Sequence, residues 1–318
     1  MRRILLPILA TLISGAQVTA QTAFAEVAGI SAKEFKKTAI NMAPPKGDKK
    51  GQSGPYWLAY NGQVPKRVAL VSFYVFDKPF EETRTDTHQE YTLGSSGVGL
   101  YDVTTTTRIT KNLTKDGAST IATDFFVQCK DSLVKAYADG EIQLLMPSEF
   151  AATPEKWKIY EDFEPDISGV FKGMLTRATN MSAVAEGFRF IPAPTDLPAD
   201  YKFQMSMGQL AVDLGVDAVL IVTNKCQSTK GKGYEFTELH QNMYATNPVP
   251  KVEGQMYPGR AYCTGLLLDS WNYYGNYTFL TVGKKGELLG KDYTGYEVFV
   301  ARLARLMTAA LHEKVKVE

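Results

Sequence analysis

Apolar positions recur along this chain at two periods, and the switching between them outlines the fold. "VALVSFYVF" (Val68 to Phe76) is apolar everywhere except Ser72. A run so short and continuous, rich in β-branched and aromatic residues, predicts a strand covered on both faces. In "STIATDFFVQCKDSLVKAYADG" the spacing changes. Ile121, Phe125, Cys129, Leu133 and Tyr137 fall four apart, with Asp124, Lys130, Asp131 and Lys135 off the stripe. This is an amphipathic helix, with Ser119 as N-cap and Gly140 as its stop. "IQLLMPSEF" (Ile142 to Phe150) follows as a second buried strand. Thr153 to Phe163, with a capping threonine and Pro154 at the first helical position, follows as a second helix. The theme then returns: Phe203, Met207, Leu210, Ala211 and Leu214 recur at helical spacing, Gly215 sits at a left-handed cap, and "VDAVLIVTN" (Val216 to Asn224) is a third apolar strand. Such alternation predicts an α/β (or α+β) fold, a mixed sheet with a parallel component and helices packed on it.

The polar and mixed stretches complete the outline. Lys78 to Thr92 reads as a polar loop, and the threonine-rich segment Gly99 to Thr110 as an extended, partly exposed strand. Ala261 to Asp269 and Tyr277 to Gly290 have the character of antiparallel strands, the second folded at a Gly-Lys-Lys-Gly turn. A closing helix carries Tyr296, Phe299, Val300, Leu303, Leu306, Met307, Ala310 and Leu311 on one face, which should dock on the sheet.

The beginning of the chain has another character. Arg2 and Arg3 precede a short apolar run, Ile4 to Ala16, and "VTA" (Val18 to Ala20) offers small residues for cleavage. In that order these are the parts of a secretory signal peptide over residues 1–20, with cleavage as late as residue 25. Residues 21–55 form an exposed segment and linker, in which "SAKEFKKTAINM" makes a short capped helix. Residues 56–318 form a single domain. The reading is an exported protein, periplasmic or extracellular, without a transmembrane segment. With 35 basic against 34 acidic residues there is no clustered basic excess, and so no nucleic-acid footprint.

The buried first strand, the helix after it, the second strand and the junction Leu214, Gly215, Val216, Asp217, Ala218, Val219 and Leu220 together resemble the α/β domain of the curli-secretion lipoprotein (CsgG) family. The amino-terminal domain of the TolB protein is similar. Thr294 and Gly295 before the last helix fit the same plan, and the resemblance covers residues 66 to 312. The chain departs from it in having no cysteine for lipidation, a long connection from Phe163 to Lys202, and no recognisable amphipathic hairpin of the kind from which the curli protein builds a pore. The resemblance implies a cell-envelope module that binds other proteins and does no chemistry.

Candidate sites are few. Ligands of α/β sheets gather at the carboxyl ends of strands, which singles out Asp77, Asp86, His88 and Glu90 just beyond the first strand as a possible polar, acid–base or metal-binding cluster. A solvated loop is the plainer account of them, because no spacing there matches a ligand motif. Trp271, Tyr273, Tyr274 and Tyr277, interleaved with Asn272 and Asn276, could form an aromatic face for a protein or glycan partner, or simply cover the core. Asp162, Glu164 and Asp166 lack the glycine and closing glutamate of a calcium loop, and "GSSGVG" (Gly94 to Gly99) lacks the Lys-Ser/Thr pair of a phosphate loop. Cys129 belongs to the core stripe, whereas Cys226 and Cys263 could pair in an oxidising compartment. No motif names a metal or a cofactor. Binding to other envelope proteins is therefore the first reading, binding to a glycan or peptidoglycan the second, and a hydrolase around Asp77 and His88 the third. An oligomer is compatible with each.

Overall fold

The computed structural model describes residues 64–76, 82–93, 99–110, 115–169, 182–192, 201–229, 233–245, 266–268, 277–282 and 288–315. Its strands are β1 (Arg67–Phe76), β2 (Glu82–Leu93), β3 (Gly99–Thr110), β4 (Gln143–Leu145), β5 (Ser182–Val184), β6 (Ala218–Thr229), β7 (Gly233–Ala245), β8 (Leu266–Leu268), β9 (Tyr277–Val282) and β10 (Leu288–Lys291). Its helices are α1 (Lys115–Ala138), α2 (Pro147–Phe150), α3 (Pro154–Asp162), α4 (Tyr201–Leu214) and α5 (Tyr296–Val315). Eight strands make one sheet in the order β10-β9-β7-β6-β1-β4, with β5 on β1 and β8 on β7. β1 runs parallel to β4 and β6, and the remaining pairs are antiparallel. The α/β class with a mixed sheet and a C-terminal helix is thus what the sequence pattern predicts.

Both faces of this sheet are covered, which is why β1 and β6 read as unbroken apolar runs. On one face Val68, Leu70, Phe73 and Val75 pack with the α1 stripe and with Tyr296, Phe299 and Leu303 of α5. On the other, Ala69, Val71 and Tyr74 pack with Phe150, Tyr160 and the α4 residues Phe203, Met207 and Leu210. The parity of β1 changes midway because its register with β6 shifts between Leu70 and Ser72. One extra residue at such a bulge sends the later side chains to opposite faces. Ser72 is fully buried there, and its hydroxyl donates to the Arg189 carbonyl (2.8 Å) and accepts from the Ile191 N–H (3.1 Å).

Three expectations need correction. Ser119, expected to cap the first helix, lies inside α1, which begins at Lys115. The strand expected over Ile142 to Phe150 is only three residues long, β4, and then turns into α2. Pro147 cannot donate to a ladder, and the Glu149 carboxylate reaches back to the Met146 N–H (2.7 Å), which starts a helical turn. The loop expected over Lys78 to Thr92 contains the strand β2. β2 pairs with β3 residue for residue, from Glu82↔Thr110 to Leu93↔Gly99, as a separate two-stranded sheet. It is a hairpin where a polar loop was expected. Apolar alternation is missing from β2, but threonine is not: Thr83, Thr85, Thr87 and Thr92 suit an extended backbone through their branched side chains. β7 was not foreseen either, because its polar residues break the apolar run. Among the described residues no helix is long and apolar enough to cross a membrane.

Candidate functional site

The β2–β3 ribbon is where the structure gathers the polar residues singled out above. Side chains alternate across a strand, and residues opposite each other in register share a face. Thr83, Thr85, Thr87, Gln89, Tyr91 and Leu93 therefore share a face with Gly99, Tyr101, Val103, Thr105, Thr107 and Ile109. Glu82, Arg84, Asp86, His88 and Glu90 fall on the opposite face together with Asp102 and Arg108. Every Asp, Glu, Arg and His of the ribbon is on one face and none is on the other. Asp86, His88 and Glu90 are thus brought together on one face of one strand. Asp77 lies outside the described residues, as do Trp271, Tyr273, Tyr274 and Cys263. Tyr277 opens β9, in register with Phe236. The aromatic face and the cysteine pair expected from the sequence consequently fall outside the described residues.

A second polar group lies inside the large sheet, and sequence reasoning missed it. Glu238 on β7 stands between Lys225 of β6 and His240 two residues further on. Its Oε2 is 2.7 Å from both Lys225 Nζ and His240 Nε2. The imidazole side chain is only 2% exposed and the other two side chains 14%, so this ion group is almost closed off from solvent. Burial pushes the Glu238 carboxyl up, but hydrogen bonds from His240 and Lys225 and their charges outweigh it. The carboxyl is held below its ordinary value of 4.5. Thr223 lies opposite His240 and Ile221 opposite Asn242. The Thr223 hydroxyl and both amide atoms of the fully buried Asn242 lack a hydrogen-bond partner. A carboxylate, an imidazole and an ammonium group meet here, all of them largely buried. Their chemistry is that of a brace that ties β6 to β7. The signal available in sequence was the spacing of Glu238, His240 and Asn242 at every second position between aromatic residues.

Histidines elsewhere also have structural work. His312 has its Nε2 2.9 Å from the Gly140 carbonyl at the turn after α1. It borders a shallow hollow of about 370 Å³ together with Asp139, Glu141, Arg305 and Thr308. Cys129 is fully buried in the α1 stripe, and burial raises its thiol far above the ordinary range, so it is an inert core residue. Among the described residues no three His, Cys, Asp or Glu side chains are arranged to hold a metal ion.

No family model matches this chain, and neither the curated proteins nor the solved structures contain a match.

Proposed function

We propose that this is an exported, non-enzymatic protein of the cell envelope or its surroundings that works by binding other proteins, with the β2–β3 ribbon as its contacting arm. The observation that carries the reading is the charge segregation of that ribbon. An isolated two-stranded ribbon is marginally stable in water, and three or more strands or a packed face are needed for independent stability. A ribbon of two twelve-residue strands with one uncharged face has a surface to offer a partner. The sequence from Tyr91 to Tyr101 is uncharged without interruption, and these two tyrosines are cross-strand partners. Tyrosine combines contact area with a polar tip, as interface hot spots do. Export rests on the order of charged start, apolar run and small residues at the beginning of the chain. The likeness to the CsgG and TolB domains, carried by the Leu214 to Leu220 junction, supports an envelope module on the same grounds as before.

The test compares the full chain with one whose Tyr91 and Tyr101 are both replaced by Ala. Affinity capture from envelope extracts of the native host should recover defined partners with the first and lose them with the second, while both melt at the same temperature. The recovered protein should begin between Gln21 and Glu26. Capture indifferent to the two tyrosines, or flotation with protein-free liposomes in place of protein capture, would overturn the reading.

A further inference from the structure

β2 is hydrogen-bonded to β3 along its whole length and, among the described residues, to no other strand, so its second edge is a template for another strand. The order of charges along that edge decides which strand fits. Arg84, Asp86, His88 and Glu90 follow at alternate positions and share one face. Reversed about Thr87, the series turns into its electrostatic complement: Arg84 changes places with Glu90, and Asp86 with His88. The same holds across the ribbon, where Asp102 and Arg108 are equidistant from Thr105, the register partner of Thr87.

We propose that two copies of this chain associate through the free edges of β2, antiparallel, about a two-fold axis at Thr87. Such an interface is isologous, the same patch serving both subunits. Arg84 of each copy then lies opposite Glu90 of the other, and Asp86 opposite His88. On the uncharged face Thr83 meets Tyr91, Thr85 meets Gln89, and Thr87 meets its own counterpart. Opposite charges and β-branched–aromatic pairs are the favourable cross-strand combinations.

The alternatives are disfavoured by the same residues. A slip of one residue in the sum of paired positions exchanges the two faces of one strand, setting charges against the uncharged side. Slipping by two in one direction sets Asp86 against Asp86 and Glu82 against Glu90. Slipping by two in the other sets Asp86 against Glu90 and His88 against His88. Registers centred on Thr85 or Gln89 also avoid like-charge pairs, but they pair only residues 82–88 or 85–93 of β2. The one centred on Thr87 pairs residues 82–92 and matches Arg84, Asp86, His88 and Glu90 all at once.

The lone ribbon also carries a deficit that the second copy offsets. Arg84 lies directly across from Arg108, and Glu90 directly across from Asp102. Like charges opposite each other destabilise a ribbon. The two-fold arrangement brings the acidic pair of one copy beside the basic pair of the other. The proposal goes beyond the partner-binding reading, since it concerns the β2 edge and a second copy of this chain.

The decisive measurement is sedimentation equilibrium of the mature chain and four variants. The unaltered chain should be a dimer. Arg84→Glu alone and Glu90→Arg alone should each weaken dimerisation by about tenfold or more, a loss of about 1.4 kcal/mol or more. An equimolar mixture of those two variants should dimerise again, because every 84–90 contact between them is once more acidic against basic. Thr87→Cys should give a disulfide-linked dimer on a non-reducing gel, and Thr83→Cys should not. A circular dichroism melt verifies that each variant is folded. A monomeric unaltered chain, a dimer indifferent to both reversals, or a larger ring would overturn the proposal.

Discussion

The carboxylate of Asp217 holds the first residues of β1: its Oδ2 accepts the N–H of Arg67 (2.9 Å) and of Lys66 (2.8 Å), while the Asp217 N–H donates to the Arg67 carbonyl (2.9 Å). Arg67 returns the contact through Nη1 to the Gly215 carbonyl (3.0 Å). Lys156 Nζ takes the Leu214 carbonyl (2.6 Å) at the end of α4. The Leu-Gly-Val-Asp junction is therefore a splice: Gly215 turns the chain at φ +70°, and Asp217 sets the register of β6 against β1. We expect Asp217→Ala to destabilise the protein by about 1–2 kcal/mol, since two backbone donors lose a charged acceptor but stay within reach of water. Urea unfolding with an unchanged m-value would measure it.

Leu220 is fully buried in β6, within the cluster shared with α1 and α5. Leu220→Ala should cost roughly 2–5 kcal/mol through lost burial and the cavity left behind. A loss below about 0.5 kcal/mol, the size of surface effects, would place the strand elsewhere.

Gly140, in the turn just after α1, lies against Thr308 of α5. A Cβ there would lie 2.5 Å from the Thr308 Cβ, too near for the neighbour to yield by rotation alone. Gly140→Ala should destabilise by about 1–3 kcal/mol through overpacking, and Thr308→Ala in the same chain should not fully rescue it, because the nearest atom remains. The double-mutant comparison reads this directly.

The brace in the large sheet makes the fold acid-sensitive in a defined sense. Glu238 titrates below its ordinary value of 4.5 when folded, so the ionised form is the one the fold favours. Its stabilisation is complete above about pH 4.5 and is lost as the pH falls through the depressed folded value. The stability gap between the wild type and Glu238→Gln should accordingly be widest near neutral pH and close on acidification. Thermal melts at a series of pH values from 7 to 3 would record it; a gap that widens in acid would contradict the assignment.

The elements legible in the sequence are those whose evidence is local. The four-residue stripe from Ile121 to Tyr137 and the stripes of α4 and α5 each announce one buried face, and nearly every residue in them is buried. The apolar runs of β1 and β6 announce two covered faces in the same way. A period of hydrophobicity is a property of a single segment, because burial selects each residue according to its own direction from the backbone. What only the tertiary structure decided depends on pairing between distant segments. β2 carries no apolar alternation and reads as a strand once β3 lies beside it; Glu238 becomes a brace because β6 brings Lys225 to it. Asp217 looks like a turn residue until β1 begins within its reach, 150 residues earlier in the chain. The meaning of such polar residues lies in the partner they meet, and hydrogen bonding and charge, unlike hydrophobic burial, act only once direction and distance have been set.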